Sequence, residues 1–129
     1  MKQNIETNRQ SAIAFYRTAF EGNLRKAVEL YVGDKYIQHN PLVGDGKEPF
    51  INYFEKMAID YSEKNIEFVR SVAEGDLVVL HTHQTWPGGD EYVTMDFFRF
   101  DENGKIVEHW DTTEKIAPQA EWKNDNGKF

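Results

Sequence analysis

The spacing of apolar residues changes once along this chain, near residue 65, from intervals of three and four to intervals of two. The first interval belongs to helices and the second to half-buried strands, so the chain must fold as helices packed against a sheet. Residues 3 to 21 place Ile5, Ala12, Ile13, Tyr16, Ala19 and Phe20 on one face of a helix closed by Gly22. Asn23 is placed to cap a second, shorter helix with Ala27, Val28, Leu30 and Tyr31 as its apolar residues, ending at Gly33-Asp34. The segment "YIQHNPLVGDG" reads as a brief extended stretch entering a loop, because Asn40-Pro41 and Gly44-Asp45-Gly46 are breakers. A third helix spans about 47 to 60, with Pro49 in its first turn and Phe50, Tyr53, Phe54, Met57 and Ala58 on one side.

Beyond Asn65, "NIEFVRSVAEGD", "LVVLHTHQTW", "EYVTMDFFRF" and "KIVEHWDTT" each read as strands, joined by turns at Gly75-Asp76, 87 to 90 and 101 to 104. The expected fold is α+β: N-terminal helices on a strongly curved antiparallel sheet around an internal pocket, one domain over 1–129. Its core covers about 5 to 115, followed by a polar tail in which Trp122 is the anchor.

Charge and composition exclude several classes of function. With 22 acidic and 15 basic residues the net charge is -7, which repels nucleic acid. No cysteine is present, so disulfides and thiolate chemistry are absent, and no apolar run reaches membrane-spanning length. A cytoplasmic protein is expected. There is no phosphate-binding glycine loop, and Ser11, Ser62 and Ser71 have no nucleophile elbow. His81-x-His83 has a metal-site spacing, but no third ligand is spaced to complete it, so no metal and no cofactor are expected.

The hairpin "MDFFRFDENGKIVEHWD" carries the chemistry. A two-residue turn at Asn103-Gly104 sets Asp96 against Asp111, Phe98 against His109 and Phe100 against Val107; a four-residue loop sets Asp96 against His109 instead. Both registers keep these side chains on one face, and a three-residue loop with a bulge would break that parity. In the preceding hairpin, a turn at Gly88-Gly89 sets His81 against Asp96 and His83 against Thr94. The other face, with Leu80, Met95, Phe97 and Trp110, is also largely apolar, so a second sheet or a partner subunit should cover it.

Cross-strand carboxylates stand about 4.5–5.5 Å apart at Cβ and cannot both ionise cheaply, so one should hold a proton. Asp96, Asp111 and His81 are therefore the candidate acid/base residues. His39, His83, His109, Thr94 and Phe98 would orient the ligand, with Tyr16, Tyr53 and Phe54 as helix-borne walls. The alternative is structural: carboxylates solvated at a sheet rim and aromatics that are simply core.

"YIQHNPLVGDGKEPF" followed by "MDFFRFDENGKIVEHWD" resembles the SnoaL-like polyketide cyclases of the nuclear transport factor 2-like superfamily, over about residues 5 to 115. The resemblance implies a cone-shaped fold with a deep pocket, and a homodimer through the outer face of the sheet. It also implies an acidic pocket residue acting as acid/base in an intramolecular aldol condensation without metal or cofactor. Limonene epoxide hydrolase-like members carry a carboxylate on each of the last two strands, matched here by Asp96 and Asp111. Those members have an arginine two residues before the first carboxylate, where this chain has Thr94, so the resemblance does not carry epoxide hydrolysis over. The implied function is acid/base chemistry (cyclisation, isomerisation or related proton transfer) on a small apolar or aromatic, carbonyl-bearing ligand. A non-catalytic ligand-binding or dimerisation module is the alternative.

Overall fold

The structure, a computed structural model, describes residues 4–61 and 63–129; the first helix's expected start at residue 3 and the loop serine at position 62 lie outside the described residues. Helix α1 (Ile5–Phe20) starts where the Asn4 side chain accepts the Thr7 amide at 2.9 Å, and it turns Ala12, Phe15 and Ala19 into the core. Helix α2 (Leu24–Tyr31) runs directly into strand β1 (Val32–Gln38), rather than stopping at Gly33-Asp34. Helix α3 (Lys47–Asp60) follows, then β2 (Asn65–Glu74), β3 (Leu77–Thr85), β4 (Glu91–Phe100) and β5 (Ile106–Lys115).

The sheet order is β1-β5-β4-β3-β2, and β1 lies parallel to β5. The sheet is therefore mixed, not wholly antiparallel, and the segment read as a loop entrance is its fifth strand. Gly33 permits this approach, since a Cβ there would sit 3.1 Å from both Val107 and Asp101 side chains.

Loop length decides which face each strand presents. The β3–β4 loop has three residues, 87 to 89, with Gly88 and Gly89 at positive φ and Trp86 bonded to Asp90, rather than a two-residue glycine turn. His81 consequently pairs with Met95 and His83 with Val93, while Leu80 pairs with Asp96 and Thr82 with Thr94. Shifting by one residue exchanges the faces, so His81 and His83 lie on the outer face and Val78, Leu80, Thr82 and Gln84 on the inner one. The β4–β5 loop also has three residues, 102 to 104, but here an extra residue, Val107, bulges out of β5. Ile106 thereby takes the place beside Phe100 expected for Val107, and the parity is restored farther along. Asp96 meets Asp111 and Phe98 meets His109.

All three helices pack on the inner face of the sheet, around Phe15, Leu24, Phe50, Leu80, Phe98, Phe100 and Ile106. Among the described residues no helix is long and apolar enough to cross a membrane. The tail beyond β5 returns across the outer face, where the Phe129 ring stacks on His83 at 4.2 Å and on His81 at 5.5 Å.

Candidate active site

A hydrogen-bonded chain crosses the inner face of the sheet through Asp96, a residue 1% exposed in the middle of β4. Asp96 Oδ1 accepts the Thr94 hydroxyl at 2.6 Å, and the Thr94 oxygen lies 2.6 Å from that of Thr82. Thr94 spends its only proton on Asp96, so Thr82 donates to Thr94. On the other side, Asp96 Oδ2 lies 2.8 Å from His109 Nε2, and His109 Nδ1 lies 3.0 Å from Gln38 Oε1.

The protonation pattern follows from one backbone amide. Asn40 N–H, which can only donate, also points at Gln38 Oε1, at 3.0 Å, and so fixes which end of that amide is oxygen. His109 Nδ1 must therefore carry a proton and donate it to Gln38. One further proton is then left between His109 Nε2 and Asp96 Oδ2, either on the imidazole as imidazolium or on the carboxyl as acid. A buried carboxylate alone would be costly; a dyad sharing a proton is neutral as a unit.

Asp111 is next on the same face and differs from Asp96 in exposure. Its carboxylate accepts Asn40 Nδ2 at 3.1 Å. Burial pushes its carboxyl above the usual 3.8, with the Asp96 charge adding to the rise and His109 opposing it. The folded protein thus holds this proton more tightly than the unfolded chain. Stability accordingly falls as pH rises from 3.8 through the raised value, and stays lower above it. Asp111→Asn should raise the melting temperature at pH 7 by roughly 1–3 °C, a modest gain because the group is partly solvated. Wild type and variant should converge towards pH 4; parallel melting curves at the two pH values would contradict this origin of the shift.

Above the dyad is a cavity of about 60 Å³, large enough for a few waters. Its walls are Phe15, Tyr16 and Phe20 of α1, Phe50, Phe54 and Met57 of α3, with Tyr36, Trp86 and Phe98 from the sheet side. Asp96, His109 and Asp111 supply the polar atoms at its floor. Two phenols face it. Gln84 Nε2 donates to the Tyr16 hydroxyl at 2.8 Å, and Gln38 Nε2 to that of Tyr36 at 3.3 Å. Burial, then the Asp96 charge, raises both phenols well above 10.0, so both remain proton donors.

Asp96, His109 and Asp111 also bring ligand atoms within 4.8 Å of one another, a spacing that a cation could bridge. The 2.8 Å contact within the dyad already satisfies Asp96 and His109, and we read the cluster as a holder of protons.

The family model for the SnoaL-like domain matches residues 12–109, from within α1 to His109 itself. The chain belongs to the SnoaL-like family. Solved structures share its fold at low identity: TsrD from Streptomyces laurentii has a TM-score of 0.74 at 18% identity, covering 88% of this chain and 92% of that one. IdmH from Streptomyces antibioticus, a proposed polyketide cyclase, gives 0.71 at 17% identity, with 83% and 91% covered. An epoxide hydrolase of M. tuberculosis resembling limonene epoxide hydrolase gives 0.71 at 16% identity, with 85% and 84% covered. At these identities the likeness is one of fold. No curated protein matches the sequence.

Within this SnoaL-like domain the expected site residues divide. Asp96, Asp111, His109, Phe98, Tyr16 and Phe54 gather at the cavity, with Thr94 directly behind Asp96. Tyr53 packs edge-on against Phe54 and does not line the cavity. His81, expected beside Asp96, instead contacts Arg70 on the outer face, and His83 bonds to Glu91 at 2.7 Å. His39, expected over the pocket mouth, also points outward, stacked on Trp110 at 4.8 Å and bonded to Glu108 at 2.7 Å. Sequence reasoning missed Tyr36, Gln38 and Asn40. They alternate along "YIQHN", so a strand reading of that stretch would have put all three on one face and His39 on the other.

Proposed function

We propose that this protein is a cofactor-independent acid/base enzyme that moves a proton on an apolar, carbonyl-bearing small molecule, in cyclisation, isomerisation or a related reaction. The observation that carries this reading is the buried Asp96–His109 pair, in hydrogen-bond contact at 2.8 Å at the floor of an aromatic cavity. Such a pair abstracts a proton from carbon as carboxylate and returns it from the same site. The Tyr16 and Tyr36 hydroxyls, kept protonated by burial, are suited to donate to the oxygen on which negative charge develops. The cavity is smaller than the roughly 300–1,000 Å³ usual for ligands, so a substrate would displace the α3 side chains Phe54 and Met57 at its edge.

The test needs no knowledge of the natural substrate. 5-Nitrobenzisoxazole opens to a coloured phenolate when a base removes its ring proton. The protein should open it at least about 100-fold faster than an equal concentration of acetate at the same pH. A rate no greater than that of acetate would sink the proposal. The outer face leaves Val72, Met95 and Phe97 exposed by 60%, 42% and 41%, and we propose that a second copy covers this apolar strip.

A further inference from the structure

The proton-transfer reading accounts for the floor of the cavity but not for its mouth. Lys64 lines the aromatic cavity there, and it also lines an adjoining surface pocket of about 310 Å³ together with Arg17, Phe20, Glu21 and Asn65. The two spaces share Phe20 and Lys64 as lining residues, so they adjoin at that pair. Both cations rest on aromatic rings: Lys64 Nζ is 4.9 Å from the Phe20 centroid, and the Arg17 guanidinium carbon is 5.1 Å from that of Phe68.

Among the described residues neither Lys64 nor Arg17 has a carboxylate within 4.0 Å, although Glu21 borders the same pocket. Arg9, Arg25, Lys56, Arg99, Lys115 and Lys128 have acidic partners, whereas Lys64 and Arg17 have aromatic rings instead. Lys64 is half-buried, and burial lowers its ammonium from the ordinary lysine value, as expected of a cation short of compensating charge. An anion at this point would supply that charge. The acidic surface elsewhere would repel it, and the Asp96 and Asp111 carboxyls would keep it from the floor.

We propose that the ligand of this site is an amphipathic acid. Its carboxylate or comparable anionic group is held at the mouth by Lys64 with Arg17 beside it, its flat apolar body lies among Phe15, Phe20 and Trp86, and its reacting end faces Asp96. The inference rests on the catalytic-pocket reading above and adds the class of substrate and its direction of entry.

Cinnamate and its neutral analogue cinnamamide have nearly the same shape and differ in charge, so paired titrations isolate the mouth. Followed by calorimetry at low salt, cinnamate should bind about 10-fold more tightly than cinnamamide, and about 0.5 M salt should erase most of the difference. In Lys64→Gln the ratio should fall towards one while cinnamamide binding is unchanged. Equal affinities in wild type, or a preference that survives Lys64→Gln and Arg17→Gln together, would overturn the assignment. If cinnamamide binds without any preference for cinnamate, and the benzisoxazole opening persists, the anion site alone is wrong. If neither compound binds, the anion site and the pocket as a ligand site fall together.

Discussion

Asp96→Asn should keep the fold and lose about 10²- to 10⁴-fold in proton-transfer rate, the usual contribution of a positioned general base. The network explains why the two effects separate. In the variant, the amide oxygen still accepts the Thr94 hydroxyl, and the amide nitrogen donates to His109 Nε2, which is the acceptor once Nδ1 is committed to Gln38. Every hydrogen bond of the wild-type site is reproduced, but the amide has no proton to exchange at neutral pH. The benzisoxazole assay and a thermal melt read the two predictions independently. A variant with wild-type melting and wild-type rate would remove Asp96 from the mechanism. Asp96→Ala is less informative, because it leaves His109 Nε2 and the Thr94 hydroxyl proton without their buried partner and costs stability as well.

The largest effect on stability is expected at Phe98. Its ring is 1% exposed, stacks on His109 at 4.8 Å, and meets Phe15 at 5.8 Å and Tyr16 at 6.3 Å edge-on. Phe98→Ala should cost about 3–5 kcal/mol in denaturant unfolding, because the helices above and the sheet below limit how far the space can collapse. The adjacent Phe97 is the natural control, since it points to the other face and is 41% exposed. Phe97→Ala should cost less than about 1.5 kcal/mol, the stability lost by removing an incompletely buried ring. Similar losses at the two positions would mean that the faces of β4 are assigned wrongly.

The sequence made the elements legible far more than the way they pair. Helix α3 was expected over about 47 to 60 and spans Lys47–Asp60, and "EYVTMDFFRF" is β4 from end to end. These depend on local period and on breakers, which the sequence displays directly. The site depends on parity across hairpins, which a single residue in a loop reverses. Both loops hold three residues, but only the second has a bulge to compensate, and nothing in "DENG" against "PGGD" announces that difference. Hence the Asp96–Asp111 neighbours were found and the His81 partner was not. Apolar parity offered a clue: Leu80 belongs beside Phe98 in a core more naturally than His81 does. His109, expected to face Asp96 only in the four-residue-loop register and otherwise to orient the ligand, is the hydrogen-bond partner of Asp96 although it pairs with Phe98. That pairing sets it on the inner face, diagonal to Asp96.

The parallel strand β1 makes the one pairing in the sheet that joins distant parts of the chain among the described residues. Strands β2 to β5 pair with sequence neighbours, so their hairpins close short loops, whereas Val32 must find Ile106 from far away along the chain. The latch on His109 comes from Gln38 and Asn40, at the end of that distant strand. A chain whose hairpins have formed but whose β1 has not docked would have its aspartates in register and its imidazole free to turn. Chemical competence would then arrive as the last event of folding, and be the first thing lost when the edge of the sheet frays.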